Sequence, residues 1–85
     1  MCVILNEFPD GFKEENLNSK KIEIEQKYDV ELNLQYYDNI RNDDSHSYYY
    51  YHMFSGRVLY LYFVNGNLTH VSIRRNGKVL CEKDF

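Results

Sequence analysis

Residues 48–81 read YYYYHMFSGRVLYLYFVNGNLTHVSIRRNGKVLC, and the way this stretch divides decides the fold. Apolar and aromatic runs at 48–54, 57–64, 68–75 and 78–81 alternate with Ser55-Gly56, Asn65-Gly66 and Asn76-Gly77. Asn-Gly accepts positive φ at both positions, as the tight turn between antiparallel strands requires, so such a pair between apolar runs is a hairpin signal. A four-stranded antiparallel meander is expected.

The run 57–64 is apolar on both sides. Leu59, Leu61 and Phe63 point one way, and Val58, Tyr60, Tyr62 and Val64 the other. A two-residue Ser55-Gly56 turn sets Tyr51 opposite Tyr60 and Tyr49 opposite Tyr62, a cluster of four tyrosines on one face. The next turn selects the core. A two-residue Asn65-Gly66 turn puts Val71 across from Tyr60, whereas a three-residue loop puts it with Leu59 and leaves His70, Ser72 and Arg74 beside the tyrosines. The second arrangement is favoured, because Leu and Phe lose nothing polar on burial while each Tyr hydroxyl needs a partner. The tyrosines then either fill a second small core, under residues 38–47 or the N-terminal segment, or form a surface for a partner, with homodimerisation as one version.

Upstream, Ile22, Ile24, Tyr28, Val30, Leu32, Leu34 and Tyr36 fall on even numbers, with Gln26 interrupting. That period of two reads as a strand, bent near 26–29 because one strand over this range would span on the order of 50 Å. A helix over 19–28 is the competitor, with Leu17, Lys21, Ile24 and Tyr28 at helical spacing. On the strand reading, Glu23, Glu25, Asp29 and Glu31 form an acidic ladder with steps of about 6.6 Å, close to two steps of about 3.4 Å along a nucleic-acid strand. Such a ladder would fit a basic groove in place of nucleic acid. Lys21 and Lys27 interrupt it.

The apolar run 2–5 reads as one short buried strand, and 10–18 as a short helix or loop after Pro9-Asp10-Gly11. Residues 38–47, rich in Asp, Asn and Ser, read as an exposed loop. The fold class expected is mainly β, with α+β as the alternative: an antiparallel meander of about five to six strands in a single domain, 1–85. Cys2 and Cys81 lack the CxxC spacing of a zinc or redox site and are expected as buried thiols in a reducing compartment. A disulfide becomes possible if a terminal strand pairs with the last one.

The 85 residues carry 13 Asp or Glu and 10 Lys or Arg, a net charge of -3. Residues 1–45 hold 11 acids and 5 bases, residues 46–85 hold 2 and 5, so the halves are -6 and +3. An acidic first half disfavours nucleic acid as its partner and suits a basic protein surface. Folding a chain this size buries only roughly 60% of the unfolded surface, which leaves little room for an enclosed active site. GxGxxG, Walker A, HExxH and GxSxG motifs are absent, so no enzyme class and no cofactor is expected. His46, His52 and His70 show no zinc-ligand spacing, even with Asp43 or Asp44, so no metal is expected. Neither a bilayer-spanning run nor a secretory signal is present, which gives a cytoplasmic expectation with no membrane partner.

The abundance of Asn, Lys, Ile and Tyr, which AT-rich codons encode, suggests a low-GC bacterial or phage genome. In size and character the chain resembles the small acidic inhibitors that phages and mobile elements deploy against host defence, anti-CRISPR proteins among them. The resemblance implies a non-enzymatic protein that blocks a larger protein partner, itself a nucleic-acid-binding one if the acidic ladder mimics nucleic acid, in the host cytoplasm. The residues expected to bind are Tyr49, Tyr51, Tyr60, Tyr62, His70 and Arg74, with the ladder Glu23, Glu25, Asp29 and Glu31 as an accessory. The alternatives are a single-stranded nucleic-acid-binding regulator using Tyr and Arg on an open sheet, and an assembly subunit that dimerises through the tyrosines.

Overall fold

The computed structural model describes residues 2–39 and 45–85. Five strands, β1 (Asn33–Asn39), β2 (His46–His52), β3 (Arg57–Val64), β4 (Asn67–Arg75) and β5 (Lys78–Asp84), form one antiparallel sheet in chain order. A single α-helix, α1 (Leu17–Tyr28), precedes them, and 3-10 turns occupy Cys2–Glu7 and Glu14–Asn16. The protein is mainly β with α+β character, the meander that the Gly-punctuated runs imply. The strands reach further than expected into 38–47, and Asp43 and Asp44 lie outside the described residues.

The hairpin connections set every register. Between β2 and β3 the loop is three residues, Phe54–Gly56, closed by the Met53 N–H donating to the Arg57 carbonyl at 2.9 Å, with Ser55 and Gly56 both at positive φ. The expected two-residue turn is therefore corrected, and one extra residue moves the pairing by one: Tyr50 faces Tyr60, Tyr48 faces Tyr62, and Tyr51 faces Leu59. Between β3 and β4 the turn is the short one, Asn65 and Gly66 at φ of 52° and 78°, with Val64 opposite Asn67. Alone, it would have carried Val71 to the tyrosine side. Thr69 intervenes as a bulge between Phe63↔Leu68 and Tyr62↔His70. Its hydroxyl donates to the Tyr62 carbonyl at 3.2 Å, and the slip restores Val71 opposite Leu61 and Ile73 opposite Leu59. The favoured face is the core, reached by a bulge rather than a longer loop. A second bulge, at Leu80, separates Arg74↔Val79 from Ile73↔Cys81.

The expected strand over residues 22–28 is a helix. Lys20–Glu23 and Lys21–Glu25 ion pairs at 3.1 and 2.9 Å bridge successive turns, and Lys, Glu and Gln are strong helix formers. Only a narrow stripe, Leu17 and Ile24 with Tyr28 beside them, packs inward. Ile22, which the alternating pattern places inside, is 53% exposed. The helix stops at Asp29, at φ 53°, and Glu25 fastens the exit by accepting the Leu32 N–H at 2.8 Å. Lys21 and the Leu32 N–H both hold the Glu25 carboxyl below its ordinary value, the backbone bond being the larger cause.

The expected strand at 2–5 is likewise corrected to a 3-10 turn, which directs Ile4 and Leu5 into the core ahead of Phe8. Cys2 and Cys81 form a disulfide that ties this turn to β5. Cys2 is exposed, so the two cysteines are neither free nor both buried. The chain is further pinned by the Leu68 N–H donating to the Phe12 carbonyl (2.9 Å) and the Glu14 N–H to the Gly66 carbonyl (2.8 Å). Phe8 and Phe12 meet edge-on at 5.2 Å. One core results: Ile4, Leu5, Phe8, Phe12, Leu17 and Ile24 from the N-terminal segments join Leu59, Leu61, Phe63, Val71, Ile73 and Tyr51 from the sheet. All of these sheet residues lie on one face.

Candidate functional site: the uncovered tyrosine face

On the other face the register brings Tyr36, Tyr48, Tyr50, Tyr60 and Tyr62 together across β1, β2 and β3. Their rings form a continuous array: Tyr36–Tyr50 at 5.5 Å, Tyr50–Tyr60 at 5.0 Å, Tyr60–Tyr48 at 5.6 Å and Tyr48–Tyr62 at 4.5 Å, the last pair stacked. His46 extends it, its ring tilted against that of Tyr62 at 5.6 Å and hydrogen-bonded to the Tyr62 hydroxyl. From β4, the Arg74 guanidinium lies 4.2 Å over the Tyr60 ring and donates from Nε to the buried Ser72 hydroxyl at 3.1 Å. His70 reaches the same ring at 6.0 Å.

None of the helical core residues joins this array. Tyr60 is nevertheless only 8% exposed, covered by its aromatic neighbours and Arg74. Burial pushes its phenol well above the ordinary value, and the flanking Tyr48 and Tyr50 add to the effect. Tyr36 is 53% exposed, and its phenol is raised mainly by the charge of Asp38. Both hydroxyls therefore remain protonated donors at neutral pH. Beside Tyr36 and Tyr50, a shallow hollow of about 360 Å³ is lined with His52 and Val58.

Of the residues expected to bind, Tyr60, Tyr62, His70 and Arg74 lie on this face. Tyr49 and Tyr51 do not. The one-residue shift at Phe54–Gly56 turns both to the core side, where Tyr51 is buried and Tyr49 donates to a Glu14 carboxylate oxygen at 2.6 Å. Burial raises both phenols, that of Tyr51 to about 12 and that of Tyr49 further still. The residues missed are Tyr36, Tyr48, Tyr50 and His46. In a run of four consecutive tyrosines, alternation sends two to each face, and only the loop length says which two.

The acidic ladder is corrected with the strand that carried it. Residues two apart on an α-helix point about 200° away from each other, so Glu23 and Glu25 share no face, and each is paired with a lysine of its own helix. Asp29 occupies the left-handed helix cap and Glu31 the link to β1. The four do not form a row.

Basic residues divide unevenly between the faces. Arg57, Arg75 and Lys78 are register partners on the Leu59 side, and among the described residues none has an ion pair. The buried Arg57 Nε has no hydrogen-bond partner, and its guanidinium sits 5.9 Å over Phe54. Of the four bases at this end of the sheet, Arg74 alone faces the tyrosines. At the far end the same face carries acids: Asp38 is opposite Tyr48, Asp84 opposite His70 and Glu82 opposite Ser72. No family model, curated protein or solved structure matches the chain.

Proposed function

We propose that this is a non-enzymatic binding protein that engages and blocks a larger protein through the face built of Tyr36, Tyr48, Tyr50, Tyr60 and Tyr62. The observation that carries the reading is an aromatic array on the side of the sheet opposite the core, held on three hydrogen-bonded strands. Tyrosine offers large amphipathic area with few rotamers to freeze, and rings already packed against one another lose little further freedom on docking. Arg74 and His70 supply polar contacts beside the buried centre of the array, as anchored interfaces use them. An inhibitor of the kind that phages and mobile elements carry is the role in which a protein this small acts by covering a surface.

Single-stranded nucleic acid is the weaker reading. Stacking platforms need cations alongside to hold phosphates, and here three of the four bases at one end sit on the opposite face while Asp38, Glu82 and Asp84 share the tyrosine side. No described helix is long and apolar enough to cross a membrane. Cytoplasmic action requires the Cys2–Cys81 pair to be reduced where the protein works, since thiols are kept reduced there. Alkylation without prior reduction, read by mass spectrometry on protein taken from its native cell, decides that point.

The test of function is a pull-down that identifies the partner, followed by measured affinities. Tyr50→Ala with Tyr62→Ala should weaken binding by at least about 30-fold, the equivalent of roughly 2 kcal/mol at an anchor, while circular dichroism stays unchanged. Full affinity in a folded double variant would contradict the assignment. A dimer in sedimentation that the same variants dissociate would replace the foreign partner with a second copy.

A further inference from the structure

We propose that His70 and Glu82, with Asp84 behind them, form a binding site for a divalent transition-metal ion of the zinc type on the open face. Sequence spacing conceals it, because the partners lie across the β4–β5 hairpin. The register sets His70 opposite Asp84 and Ser72 opposite Glu82, so the three side chains rise on the same face of two hydrogen-bonded strands. One ligand atom from each lies within 4.8 Å of the others.

The two imidazole nitrogens have different partners. Nδ1 is 2.6 Å from the Asp84 carboxylate, a hydrogen bond that places the proton on Nδ1 and leaves the Nε2 lone pair outward. Nε2 faces Glu82 Oε1 at 3.8 Å. That is too long for a hydrogen bond, and with the ring neutral two lone-pair atoms face each other across a gap that a cation can bridge. Bonds of about 2.0–2.2 Å to nitrogen and to carboxylate oxygen span this gap at an angle of about 130°, and a few tenths of an ångström of movement by the exposed Glu82 brings it to the tetrahedral value.

Asp84 completes the pattern in which a ligating histidine donates its other N–H to a carboxylate, which orients the ring and raises its basicity. The ring is already steadied against Tyr60 at 6.0 Å, its side chain only 19% exposed. One imidazole nitrogen with one carboxylate oxygen suits zinc, copper or nickel and not magnesium, which takes oxygen ligands. Water, or a group from a bound partner, fills the remaining coordination positions. The site shares His70 with the proposed docking face, while zinc binding by the free chain does not depend on the partner.

Calorimetric titration of the oxidised full chain with zinc chloride at pH 7.5 tests the proposal, the disulfide keeping both cysteines from competing. One zinc per chain is expected, lost in His70→Ala and in Glu82→Gln, and weakened roughly 10- to 100-fold in Asp84→Asn. His46→Ala with His52→Ala should leave it unchanged, magnesium should give no binding, and acidification should weaken zinc binding because protons compete for Nε2. If His70→Ala is unfolded by circular dichroism, Glu82→Gln, altered only at an exposed carboxylate, decides alone. Absence of saturable zinc binding, binding that persists in Glu82→Gln, or binding that disappears with His46 and His52 overturns the site.

Discussion

The two faces of β3 belong to the same eight residues and have opposite fates. Leu59, Leu61 and Phe63 are closed over by α1 and the N-terminal turn, while Tyr60 and Tyr62 are sheltered by other side chains of the sheet. Apolar side chains were buried by adding a layer, and amphipathic ones by lying against each other, the Tyr62 hydroxyl hydrogen-bonded to His46. Side-chain burial in a small domain therefore does not by itself mark the core: Tyr60 at 8% exposure belongs to the surface array.

Exchanging the faces gives the strongest test of this contrast. Substituting His70→Val, Val71→His, Ile73→Arg and Arg74→Ile together puts the two aliphatic side chains on the tyrosine side and an imidazole and a guanidinium in the core. Two buried aliphatic side chains are then lost and a charge is buried, a cost above about 4 kcal/mol; the chain should be unfolded by circular dichroism at room temperature. A folded quadruple variant would mean that either face can serve as core.

Truncation compares the faces one residue at a time. Phe63→Ala, at a fully buried ring, should cost about 3–5 kcal/mol in urea denaturation. Tyr62→Ala, on the same strand and one residue away, should cost less than about 1.5 kcal/mol, since most of what it loses are ring contacts. Equal costs would erase the distinction. Reduction of Cys2–Cys81 acts only on the covered side, where it frees the turn that seats Ile4 and Phe8. A link across 79 residues should be worth about 2–5 kcal/mol, and the thermal midpoint with and without reductant measures it.

Acid stability depends on the covered side as well. Lys27 and Tyr28 together hold the Glu7 carboxyl below its ordinary 4.5, Lys27 from 2.8 Å and Tyr28 from 2.6 Å, and the Leu32 N–H and Lys21 do the same for Glu25. Depressed carboxyls stabilise the fold above pH 4.5 and lose that contribution as pH falls through their lower folded values. Glu25→Gln should therefore flatten the decline in denaturation midpoint below pH 4.5. At the alkaline end the sign reverses: the Tyr51 phenol, pushed up to about 12 by burial and by Glu25, keeps its proton in the fold, so stability should fall between pH 10 and about 12.

The meander was legible because Gly-containing turns and apolar runs are local signals, and local signals survive folding. Register was not, because it depends on one residue at each connection: the third residue at Phe54–Gly56 and the bulge at Thr69 leave no mark stronger than an ordinary Ser or Thr. The two errors acted differently. The first moved Tyr49 and Tyr51 off the site and Tyr48 and Tyr50 onto it, whereas the second left His70 and Arg74 where they were expected. Helix α1 was misread because Ile22 and Ile24 imitate a strand, yet a helix needs only the narrow stripe of Leu17 and Ile24 when a sheet supplies the rest of the core. The grouping of His70 with Glu82 and Asp84 lay beyond sequence spacing, since cross-strand neighbours are separated by the length of a hairpin.

Nine tyrosines distributed over both faces provide the most direct measurement of the central claim. With ring-labelled tyrosine, nuclear magnetic resonance spectra recorded as the identified partner is added should show Tyr36, Tyr48, Tyr50, Tyr60 and Tyr62 shifting together. Tyr28, Tyr37, Tyr49 and Tyr51, on the other side, should stay in place. Shifts confined to those four, with the open array unmoved, would contradict the account.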